Sequence, residues 1–192
     1  MKILLIHGAH ASNISWNWVG AHMSNTRLSW EMTLSPEDNL IAMEKHITEP
    51  CIVVGHSMGG LYAWHLAKRN PELVTHGISI GTPWGGSKYV SFWSSFNRIP
   101  HWLIMLSRTG MWTSRPRHMP PACPWTNIVT THGFDVLWFG KNDGVITIES
   151  QRELYKQSNE IILNYGHTEV LQSPELVDII NIIRLSHGNH TN

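Results

Sequence analysis

Apolar runs and helical spacings alternate along most of the 192-residue chain. Near-continuous apolar runs at 2–6 ("KILLI"), 51–55 ("CIVVG") and 73–81 ("LVTHGISIG") predict strands buried on both faces. Further strands are expected at 27–34 ("RLSWEMTL"), 127–132 ("NIVTTH") and 160–166 ("EIILNYG"). Helical patterns lie between them at 15–24, 35–48, 57–69, 147–157 and 173–185. The helix at 35 is announced by Ser35 as N-cap, then Pro36 and two acids, with Leu40, Met43 and Ile47 on one face. Ser173 and Pro174 repeat the signal before Leu176, Ile179, Ile180 and Ile183. Strands and helices in alternation predict βαβ units and a parallel sheet.

The alternation breaks at 84–126, a stretch rich in Trp, Pro, Ser and Arg with only short apolar pieces such as "WLIML". It is too long for an ordinary connection and is expected to be an inserted lid or cap. The remainder, 1–192, reads as one domain around that insertion.

Composition narrows the function classes. Formal net charge is zero, which gives no electrostatic basis for binding nucleic acid or an anionic membrane. No apolar run reaches the roughly 20 residues of a membrane span, and "MKILLIHG" is too short for a signal peptide. Two cysteines, Cys51 and Cys123, make no disulfide framework, so a cytoplasmic setting is the default expectation. With 13 histidines, a histidine by itself identifies nothing.

Chemistry concentrates at Gly55-His56-Ser57-Met58-Gly59, between an apolar strand and an amphipathic helix. A serine hydroxyl is a weak nucleophile at neutral pH and needs a base within reach and a group to orient that base. G-x-S-x-G at a strand-to-helix turn presents such a serine, with acid and histidine expected later in the chain. Asp38 precedes the serine and Asp178 lies within the last helix. Asp143, in "GKNDGVIT" between an apolar run and a helix, is therefore the better acid. Asp135, in "GFDVLWF", is the alternative. His167 follows the last strand, whereas His187 and His190 fall in the polar tail. Donors for an oxyanion are expected from the N–H of Met58 and of Ala9. His7 and His10 lack a carboxylate or cysteine at ligand spacing, so no metal and no cofactor is expected.

Together, "HGAHASNISWNWV", "VVGHSMGGLYA", "GTPWGGS", "NDGVI" and "GHTEVLQSPEL" resemble the α/β-hydrolases of the small lipase and esterase type. The resemblance spans 2–183 apart from 84–126. It implies a minimal α/β-hydrolase fold: about six mostly parallel strands, helices on both faces and an inserted cap, without the two strands that usually precede the His-Gly loop. It also implies Ser57 as nucleophile, Asp143 as acid, His167 as base, and Ala9 and Met58 as oxyanion hole. The implied activity is cleavage of a small-molecule or lipid ester through an acyl-enzyme. Acyltransferase, lyase and low-turnover ligand-binding readings remain open on the same scaffold. Aromatics of the inserted segment, Trp84, Trp102 and Trp112 among them, are expected to contact an apolar acyl group.

Overall fold

The structure, a computed structural model, describes residues 1–86, 105–107, 110–133, 140–155 and 158–188. Trp102, Asp135 and nearly half of the segment expected to form the cap lie outside the described residues.

Among the described residues six strands form one sheet: β1 (Lys2–Ile6), β2 (Thr26–Leu28), β3 (Cys51–His56), β4 (Val74–Ile80), β5 (Trp125–Thr130) and β6 (Asn159–Leu163). Every pairing is parallel, in the order β2-β1-β3-β4-β5-β6. The α/β hydrolase-type sheet expected from the sequence is thus present, with six strands. Beside it lie the helices α1 (Asn17–Ala21), α2 (Pro36–Glu44), α3 (Met58–Arg69), α4 (Met111–His118), α5 (Ile148–Gln151) and α6 (Pro174–Gly188). Among the described residues no helix is long and apolar enough to cross a membrane.

The strand period of two residues separates two cores. Leu4, Ile6 and Val53 face α2 and α3, packing with Leu40, Met43, Leu61 and Leu66. Ile3, Leu5, Ile52 and Val54 point the other way, onto Trp16 and Val19 near the start of the chain and Leu176 and Ile180 of α6. Because both faces are covered, these strands read as unbroken apolar runs rather than alternating ones.

Several boundaries differ from the sequence reading. β2 is three residues long instead of eight, because Trp30 turns inward. Its indole stacks on His7 with centroids 5.5 Å apart, and its Nε1 donates to the His7 carbonyl at 2.8 Å. β5 begins at Trp125, so the last two residues assigned to the insertion belong to the sheet. α5 closes after one turn. α4 has no amphipathic pattern to announce it and contains Pro116. It docks on α3 through Trp112, 4.3 Å from the His65 ring centroid.

Connectivity fixes where a ligand can be received. The chain passes from β1 to β2 on one side, then returns to β3 on the other. The crevice at such a reversal, beyond the carboxyl ends of the strands, is where open parallel sheets bind ligands. Here those ends carry His7-Gly8-Ala9 and His56-Ser57.

Candidate active site

Ser57 joins β3 to α3 with φ 52° and ψ −125°, one of two non-glycine residues at positive φ among the described residues. A side chain in that region is strained by roughly 1–3 kcal/mol and persists only when its surroundings impose it. The surroundings do so through glycines. A Cβ on Gly55 would run into the Gly59 carbonyl, and one on Gly59 would run into the carbonyl oxygens of Ile6 and His7. The helix can therefore start directly against β1 and β3 only with both glycines present. The Ser57 N–H is fixed by the Ile80 carbonyl at 2.8 Å, and the residue is 8% exposed. The Met58 amide opens α3, and first-turn amides have no carbonyl of their own helix to donate to.

His167 lies in the loop after β6 and places Nδ1 2.7 Å from Asp143 Oδ2. Asp143 is enclosed, with five donors around its carboxylate. Oδ1 accepts from the amides of Val145 (3.0 Å) and Ile146 (2.7 Å). Oδ2 accepts from Thr130 Oγ1 (2.5 Å) and Gln151 Nε2 (3.1 Å) as well as from His167. Burial alone would raise the Asp143 pKa. The hydrogen bond and charge of His167, with the Ile146 amide and the Thr130 hydroxyl, outweigh that and hold it below its ordinary value. An ionised carboxylate only accepts, so His167 Nδ1 carries a proton, and in the neutral ring Nε2 then presents the lone pair.

Gly81, at the end of β4 with φ 57°, brings these parts together. A Cβ there would sit 3.2 Å from His167 Nδ1, 3.2 Å from Thr130 Oγ1 and 3.3 Å from Asp143 Oδ2. Gly81 directly follows Ile80, which holds the Ser57 amide. On the other side, a Cβ on Gly8 would stand 3.0 Å from Ser57 Cβ, which sets the loop carrying Ala9 against the serine.

His7 is occupied structurally. Nδ1 donates to the Gly8 carbonyl at 2.8 Å and Nε2 accepts the Trp30 amide at 3.3 Å. Burial pushes its pKa down, so the ring stays neutral. Trp84 is one of the aromatics expected to contact substrate. It is fully buried, donates Nε1 to Asn127 Oδ1 at 3.1 Å and meets Trp125 edge-on, an arrangement that serves packing. Trp112 is also buried, against His65 and Tyr62 of α3. Thr130 and Gln151 were not singled out by sequence. Nothing in their local pattern distinguishes them, because each acts through contacts made only once the sheet has formed.

A family profile described as alpha/beta hydrolase fold matches residues 4–111, more than half of the chain. The chain belongs to this family. Among solved structures, the α/β hydrolase is similar to the mature form of lipase BlEst2 from Bacillus licheniformis, with a TM-score of 0.74 and 15% identity over 95% of this chain and 91% of that one. A lipase-esterase related protein from Clostridium acetobutylicum matches at TM-score 0.66 and 11% identity, covering 94% and 93%. A thermophilic esterase from Thermogutta terrifontis matches at 0.64 and 14%, covering 97% and 90%. At such identities the likeness is one of fold.

Proposed function

We propose that this α/β hydrolase is a serine esterase of the lipase-like kind, cleaving carboxylic esters through an acyl-enzyme on Ser57. The observation that carries the reading is the strained Ser57 turn beside a buried His167–Asp143 pair. Ser57 Oγ attacks the ester carbonyl while His167 Nε2 takes the hydroxyl proton. Asp143 stays ionised, holds the ring in its Nδ1–H tautomer and stabilises the imidazolium that forms. The amides of Met58 and Ala9 receive the developing oxyanion, with the N-terminus of α3 adding favourable potential. His167 then returns the proton to the departing alcohol. Water, activated by the same imidazole, attacks the acyl-enzyme and frees the acid and Ser57.

Hydrolysis of a p-nitrophenyl ester series, acetate to decanoate, tests the proposal with Ser57→Ala as control. Turnover is expected on at least part of the series and is expected to fall on the order of 10³-fold or more in Ser57→Ala. A variant that keeps wild-type turnover would refute the role of Ser57.

A further inference from the structure

His56 ends β3, adjoins Ser57 and is 3% exposed, yet the acyl-transfer steps give it no task. A polar ring in a buried strand needs a partner. Its Nε2 lies 2.7 Å from the carbonyl oxygen of His167, 111 residues further along the chain. A carbonyl only accepts, so Nε2 carries the proton and the neutral ring keeps a bare lone pair on Nδ1. That Nδ1 is buried and has no hydrogen-bond partner among the described residues. The two imidazoles stand 4.7 Å apart, tilted by 49°.

We propose that His56 is a positioning residue for His167, fixing the loop of the base against the turn of the nucleophile through its Nε2–H bond to the His167 carbonyl. The proposal rests on the reading of His167 as the base. The main chain of His167 is held from two sides. Its N–H donates to the Asp143 carbonyl at 2.8 Å, which ties it to the acid's loop. Its carbonyl accepts from His56, which ties it to the residue preceding Ser57. Asp143 alone orients the ring but belongs to a third loop, so it does not set the distance between base and nucleophile. Proton transfer depends on that distance, and a displacement of about 1 Å is enough to lose roughly 10²-fold in rate.

The groups facing His56 keep it in the required form. Burial holds its pKa down at about 3, with the neighbouring His167 and, more weakly, His7 acting in the same direction. The bond to the His167 carbonyl and the charge of Asp143 oppose this without overcoming it. His56 therefore stays neutral across the working range and adds no positive charge beside the imidazolium that His167 becomes.

The test compares His56→Leu, which fills the space without a donor, with His56→Gln, whose side-chain amide can donate from nearly the same place. Values of kcat and KM for p-nitrophenyl butyrate are measured from pH 5 to 9, per mole of serine that reacts with a fluorophosphonate. His56→Leu is expected to lose about 10- to 100-fold in kcat with KM within about twofold, and His56→Gln to recover most of the loss. Wild-type turnover in His56→Leu, or equal impairment in both variants, would overturn the positioning role while leaving the esterase reading intact. A wild-type protein that neither labels nor hydrolyses would overturn both. Should His56→Leu fail to fold, ¹⁵N NMR of the wild-type imidazoles decides the matter. His56 is expected as a neutral Nε2–H tautomer from pH 8 down to pH 5. An Nδ1–H tautomer, or titration near 6.5, would overturn the proposal.

Discussion

Acidification from pH 7 to pH 5 is expected to destabilise the fold through two buried histidines, His56 and His65. In the unfolded chain both titrate near 6.5. In the fold, burial pushes His56 down to about 3. His65 is pushed down to about 4, again chiefly by burial, against Trp112 and with its Nε2 3.4 Å from the Trp112 carbonyl. A lowered folded-state value means that the native state favours the neutral ring. Its contribution is complete above pH 6.5 and is lost as pH falls toward the folded-state values, because the unfolded chain takes up protons first. Integrating proton uptake between pH 7 and pH 5 gives about 2 kcal/mol for each histidine, about 4 kcal/mol together. That is a large share of the roughly 5–15 kcal/mol stability of a typical domain. His76, partly exposed and lowered to about 4, and the buried His7, also lowered, act in the same direction with smaller weight. Asp143 has the same sign but acts only at lower pH, below its ordinary value of 3.8. Urea melts at pH 7, 6 and 5 measure the effect, with His65→Phe as the internal control. The variant is expected to lose about half of the pH dependence. A midpoint that does not move with pH, or an unchanged dependence in His65→Phe, would refute the assignment of these rings as buried and neutral.

Asp143→Asn should lower kcat on the order of 10³-fold, since an amide nitrogen facing His167 Nδ1 forces the imidazole proton onto Nε2. The pH-rate profile of that variant should show no recovery at any pH. Thr130→Val removes one donor from Asp143 Oδ2 and should cost about 1.5–3 kcal/mol in a urea melt, with the Asp143–His167 pair retained. Gly59→Ala should destabilise by about 2 kcal/mol or more, because the added methyl meets backbone oxygens of Ile6 and His7 that cannot give way. Gly140→Ala, with open space but φ 72°, should cost only about 1 kcal/mol.

The sheet was legible because Ile3–Ile6 and Cys51–Val54 are buried on both faces and leave unbroken apolar runs. Length was not legible where a tertiary contact ends the element. β2 stops because Trp30 turns in to meet His7 and Tyr62, a contact its own sequence does not announce. α4 stayed hidden because its burial rests on Trp112, Thr113 and Pro116 within an otherwise polar segment. Ser57, Asp143 and His167 could be picked out as candidates from the sequence because each stands in a loop or turn between predicted elements, in the order serine, acid, histidine. Their supports could not. Thr130 and Gln151 come from a strand and a one-turn helix whose local sequence reads equally well as core.

The most direct measurement of the central claim is covalent labelling with a fluorophosphonate, followed by intact mass and peptide mapping. One adduct per chain, located on Ser57, is expected, absent in Ser57→Ala and strongly slowed in His167→Ala. No adduct on Ser57 of the folded protein, or an adduct that survives Ser57→Ala unchanged, would contradict the account.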